Sequence, residues 1–160
     1  PSHSPESVAH NMAEECGIVN GNAEMLNFIY QNSQMGVVTI GQLLDICRDS
    51  DFKTHMQSQY DEYDRINKAA AEMLARNGYD EKGIGALVKL RTYCMIDAQT
   101  LTDKSGSHIA EMLTIGSTMG VIQALRNIRK YQNAEPAIVD LMQRLLKFEE
   151  NNISELKQFL

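Results

Sequence analysis

Ser33-Gln34-Met35-Gly36-Val37-Val38 returns later in the chain as Ser117-Thr118-Met119-Gly120-Val121-Ile122. The two stretches begin 84 residues apart, keep serine, methionine, glycine and valine in place, and each ends on a β-branched residue. Apolar residues spaced by three and four on both sides of each copy place it in the middle of a helix. The repeat therefore predicts an all-α fold built from two related helical hairpins.

Working outward from the first copy, Leu26, Ile29, Tyr30, Ser33, Val37, Ile40, Leu44 and Cys47 share one face of a helix over about 22–47. Asp49 and Ser50 offer capping oxygens to a second helix over about 51–77. Its inward stripe is Phe52, Met56, Gln59, Tyr63, Ile66, Ala70 and Met73, and Asn77-Gly78 is its stop. The short link makes these helices antiparallel neighbours. Residues 78–83 read as a turn, followed by a helix over about 85–103 with Leu87, Leu90, Cys94, Ala98 and Leu101 inward. Lys104-Ser105-Gly106-Ser107 interrupts it, with Ser105 or Ser107 as the next cap. Around the second copy, Met112, Ile115, Met119, Ile122, Leu125 and Ile128 form the stripe of a helix over about 107–131. Pro136 opens the last helix, which carries Ile138, Leu141, Leu145, Phe148, Asn152, Leu156 and Phe159 inward to the chain end.

The 160 residues suit one domain, and 43% apolar residues supply a continuous core. A net charge of −6 argues against nucleic acid and anionic membrane as partners, and no segment approaches a membrane span. Three scattered cysteines are too few for a disulfide framework, which points to a reducing cytoplasm. Residues 1–21 lack periodicity and read as a flexible or added leader, with Met12 as an alternative start. His3, His10 and Cys16 in it match no trusted ligand spacing.

The duplication extends beyond six residues. Asp51 and Glu135 open the second helix of each hairpin, and Glu62-x-x-Arg65-Ile66 lines up with Glu149-x-x-Asn152-Ile153 after a three-residue shift. The units are then a hairpin over 22–78, a helical crossover over 79–106 and a hairpin over 107–160, within a single domain of 22–160. A crossover of that length makes the helix at 107–131 parallel to the one at 51–77 and antiparallel to the first. This arrangement resembles the ferritin-like superfamily, an antiparallel four-helix bundle of two hairpins joined by a long connection.

The resemblance implies a two-metal site made from a glutamate on each of two helices and a Glu-x-x-His pair on each of the others. Residues three apart share a helix face, so carboxylate and imidazole reach one ion. Here Glu62 and Glu149 match, but Arg65 and Asn152 stand where histidines belong, and no carboxylate occupies the middle of the first or fourth helix. The plainer reading makes both glutamates half-exposed, paired with Arg65 or a lysine. A second set departs from the family pattern: His108 and Glu111, three apart, with Asp97 and Asp103 shortly before. Iron, manganese or zinc are the metals such a set would take. No Ser/His/Asp arrangement, phosphate loop or Cys-x-x-Cys is present, so nothing points to an enzyme.

Gly36 and Gly120 ask for compensation, since glycine inside a helix costs about 1 kcal/mol relative to alanine. Either two helix backbones approach closely there, or a pocket opens, with Tyr30, Ser33, Met35, Gly36, Gln59, Ser117, Met119 and Gly120 as its lining. The expected function is that of a helical bundle without an intact two-metal site, acting by protein binding or as a homodimer. The alternatives are a metal-binding or redox protein and a small-molecule binder using the core pocket.

Overall fold

The computed structural model describes residues 20–85 and 105–160. They form α1 Asn22–Ile46, α2 Ser50–Arg76, α3 Gly106–Lys130 and α4 Pro136–Leu156, closed by a 3-10 turn Lys157–Phe159. No strand occurs among the described residues, and none of their helices is long and apolar enough to cross a membrane. The expected leader and the helix over 85–103 lie outside the described residues, apart from Asn20, Gly21 and a non-helical Gly85. With them go His3, His10, Cys16, Cys94, Asp97 and Asp103.

Helix limits follow local chemistry. The Asp49 carboxylate accepts from Phe52 N at 2.9 Å and starts α2. The Ser105 hydroxyl accepts from His108 N at 3.2 Å and starts α3; extended backbone at Ser105 thus separates α3 from whatever precedes it. Gly78, at φ +69°, follows the end of α2, where Tyr79 N reaches back to Leu74 O at 2.9 Å. Gly21, at φ +74°, precedes α1, and a side chain there would collide with the ring of Tyr131.

The core has two apolar layers. One gathers Met25, Leu26 and Ile29 of α1 with Ile66, Ala70 and Leu74 of α2, Ala124 of α3, and Ile138, Met142 and Leu145 of α4. The other gathers Ile40 and Leu43 of α1 with Phe52 and Met56 of α2, Ile109 and Leu113 of α3, and Leu156 of α4. Each helix enters both layers, and the residues between them are mainly polar. Ser33, Gln59, Ser117, Glu149 and Asn152 are all buried there, beside Tyr63. The bundle has a polar waist.

Three expected stripes need correction. In α3 the buried face is Ile109, Ala110, Leu113, Ser117, Gly120 and Ala124, not the row of large apolar residues. Ile115, Met119, Ile122 and Leu125 are 58%, 55%, 43% and 43% exposed. The helix has two non-polar faces, and the small-residue one turns inward because α4 brings large side chains to meet it. In α4 the waist residue is Glu149, with Phe148 only half-buried, and in α2 Leu74 takes the place expected for Met73.

The 79–84 segment is more than a turn. It runs along α1, held by amides and a tyrosine of that helix. Asn27 Nδ2 donates to Asp80 O at 3.0 Å and Asn27 Oδ1 accepts from Lys82 N at 2.7 Å. Gln31 donates to Lys82 O at 2.8 Å, and Gln34 accepts from Ile84 N at 2.8 Å. The Tyr30 hydroxyl donates to the Glu81 carboxylate. These bonds carry Gly83–Gly85 to the side of the waist.

Candidate functional site

The repeated glycines decide what the waist contains. A Cβ on Gly36 would stand 2.6 Å from the ring carbons of Tyr63, so the bare α1 backbone is the seat of that ring. A Cβ on Gly120 would stand 2.5 Å from Glu149 Oε2 and 3.1 Å from Asn32 Nδ2, so α3 gives way to the carboxyl group. Each copy of the repeat thus admits one side chain from the following helix. The two admitted side chains meet, because the Tyr63 hydroxyl donates to Glu149 Oε1. Phe148 also packs edge-on against the phenol, with ring centroids 4.7 Å apart.

Glu149 is 1% exposed, and its surroundings set its acidity. Burial pushes its pKa up to about 7, against the partial relief of hydrogen bonds from Tyr63, Ser117 and Asn152. The Asn152 amide supports the carboxylate only loosely, since its buried Nδ2 completes no hydrogen bond of good geometry. Tyr63 is held well above the usual tyrosine range by its burial first and then by the neighbouring carboxylate. No lysine, arginine or histidine among the described residues contributes to the charge environment of Glu149.

Beside this pair lies a cavity of about 810 Å³. Phe28, Met35, Gly36 and Ile40 of α1, Gln59 and Tyr63 of α2, and Gly83–Gly85 form one side. Met112, Leu113, Ile115, Ser117, Met119 and Gly120 of α3 form the other, and Glu149 lies at its base. The walls are mostly apolar, with Gln31, Asn32, Gln59 and Gln123 as polar points. Its size falls in the range of sites that enclose small molecules.

Comparison of the chain with family models, with curated proteins and with solved structures found no significant match. Its function is therefore argued from this geometry alone.

Of the residues expected to line a pocket, Met35, Gly36, Gln59, Ser117, Met119 and Gly120 stand around the cavity. Tyr30 and Ser33 do not. Tyr30 is engaged by Glu81, which with burial raises its pKa to about 12. The Ser33 hydroxyl donates to Ile29 O at 2.7 Å and accepts from Asn67 Nδ2 at 3.1 Å.

The glutamates expected to share a metal have different surroundings. Glu62 is held by Arg144 of α4, at 2.6 and 2.9 Å, and by Arg65 at 3.2 Å. The half-exposed, ion-paired reading fits Glu62; it is corrected for Glu149, which is buried and pairs with Tyr63. Glu111 is exposed, and His108, also near the start of α3, has a buried Nε2 with no hydrogen-bond partner. Among the described residues no group of three or more His, Cys, Asp or Glu is placed to hold a metal ion.

The sequence pattern places Tyr63 only in a packing stripe and gives no role to Asn32 or Gln123. The signal that could have found Tyr63 was Gly36: a glycine in mid-helix opposite a large residue of the next helix marks a seat for that residue.

Proposed function

We propose that this chain is a binding protein of ferritin-like arrangement that holds a small, largely apolar molecule at its waist. The observation that carries the reading is the cavity of about 810 Å³ with the buried Tyr63–Glu149 pair at its base. A core that served only packing would leave neither the space nor the carboxyl group. The hairpin arrangement draws support from the two core layers. One unites the start of α1, the end of α2, the end of α3 and the start of α4; the other unites the opposite ends. That order supports reading α1 and α2 as antiparallel, α3 and α4 as antiparallel, and α2 as parallel to α3, the arrangement of two hairpins joined by a long connection.

The test is methyl NMR on protein labelled at methionine. With 1-hexanol as probe, the resonances of Met35, Met112 and Met119 shift in a saturable way while those of Met25 and Met142, in the apolar layer, stay in place. Uniform small shifts, or none at millimolar probe, contradict the reading.

A second reading, self-association, rests on the exposed row Ile115, Met119, Ile122 and Leu125 of α3. Its occupant would be the same row of a second copy. Sedimentation velocity over a range of concentrations tests it: a mass that rises with concentration and falls back in Ile122→Lys supports it, and a constant monomer mass rejects it.

A further inference from the structure

The geometry points to a specific ligand class for the waist cavity: an aliphatic primary amine, bound with its ammonium group against Glu149 and its hydrocarbon body along the apolar walls. This deepens the small-molecule reading above and rests on it.

Glu149 is 1% exposed and lies at the base of the cavity. A buried carboxylate is costly unless paired with a cation or supplied with enough hydrogen-bond donors. Among the described residues, the groups that act on it are hydrogen-bond donors, and none is a cation. Asn32 of α1 lies close by across Gly120, Tyr63 and Ser117 donate from α2 and α3, and Asn152 approaches from its own helix. Tyr63 is the one titratable group among them, and it is neutral. The unmet need is a positive charge.

The cavity states the rest of the ligand's chemistry. Met35, Ile40, Leu113 and Ile115 present hydrocarbon and thioether, which suit an alkyl chain. A single carboxyl group calls for a single positive charge. An ammonium carries three donors and can use Glu149 together with a side-chain amide oxygen, such as that of Asn32 or Gln123. A carboxylic or phosphate ligand is disfavoured by repulsion from Glu149, and a neutral alcohol leaves the carboxylate unpaired.

The pairing couples binding to a proton. With Glu149 titrating at about 7 in the free protein, an ammonium ligand binds the ionised form, so amine uptake near neutral pH releases protons. Affinity is highest above that point and declines below it.

The experiment is isothermal titration calorimetry of the full chain with 1-hexylamine and with 1-hexanol, which share the same hydrocarbon. The amine is expected to bind about tenfold more tightly than the alcohol near pH 8, and to lose that advantage near pH 5.5 and in Glu149→Gln. Near pH 7, measurements in buffers of different ionisation enthalpy are expected to show proton release with the amine and none with the alcohol. Equal binding of the two probes, or an amine preference that persists at low pH, overturns the ligand class and leaves the small-molecule reading standing. Absence of binding by either probe overturns that reading as well. The pH comparison on the unaltered protein decides the matter if Glu149→Gln does not fold.

Discussion

At the scale of single residues, Gly36 and Gly120 are not interchangeable despite their matching sequence settings. Alanine favours helix over glycine by about 1 kcal/mol, but at Gly36 the added methyl meets the rigid ring of Tyr63 at 2.6 Å. The ring also lies edge-on to Phe148 and is tied to Glu149 through its hydroxyl. Gly36→Ala is expected to destabilise the protein by about 1–3 kcal/mol. At Gly120 the nearest atom is the end of a glutamate, which yields more easily. Gly120→Ala is expected to cost clearly less, and to disturb the Tyr63–Glu149 bond instead. Chemical denaturation of the two variants checks the ranking; a stabilised Gly36→Ala would mean that the Tyr63 ring is not seated on α1.

At the scale of elements, the 79–84 segment depends on side chains of α1 rather than on regular structure. Asn27 is the main link, with both ends of its amide occupied by that segment. Asn27→Ala removes its two bonds to the segment, whose Asp80 and Lys82 are exposed and can bond water instead, so the cost is about 1–2 kcal/mol. Hydrogen exchange is expected to show faster exchange at Lys82 and Ile84 than in α2. Unchanged protection there would contradict the described ladder. The Arg144–Glu62 pair ties α4 to α2 at a partly exposed position, so Arg144→Ala is expected to cost only about 0.5 kcal/mol, and less in high salt. Much of this level is legible in the sequence. Asp49, Ser105 and Gly78 act locally, so their capping and stopping roles can be read from neighbours alone. The inward face of α3 is not legible, because it depends on how much room α4 needs. Ala110, Ser117, Gly120 and Ala124 are inward for being small, while Ile115 and Met119, beside the cavity, stay more than half exposed despite being apolar. Periodicity weighs hydrophobicity and cannot weigh the partner's volume. The ladder to 79–84 was hidden for a related reason: Asn27, Gln31 and Gln34 look like surface polar residues until the segment they hold is in place.

At the scale of the whole molecule, the waist sets how stability responds to pH. An acid whose folded pKa lies above its unfolded one binds more protons when folded. Stability from Glu149 is therefore full below its ordinary value of 4.5, falls as pH rises towards about 7, and stays lost above it. Glu149→Gln keeps the shape without the charge and is expected to raise stability near pH 8 by on the order of 2–3 kcal/mol. Thermal unfolding across pH checks both trends, and a variant less stable than the parent near pH 8 would contradict them. The parts of the two apolar layers that α1, α2 and α4 supply could be anticipated from sequence, since they are written in helical periods. The uncompensated carboxyl between them could not, because Glu62 and Glu149 align by sequence, yet Tyr63 rather than Glu62 takes the place on α2 that Glu149 takes on α4. Everything proposed for the waist requires four helices to close around Glu149 and keep water from it. Carbon-13 NMR titration of that one carboxyl group measures this directly. A midpoint about 7 is the predicted result; a midpoint near 4.5 would show a solvated glutamate and contradict the account.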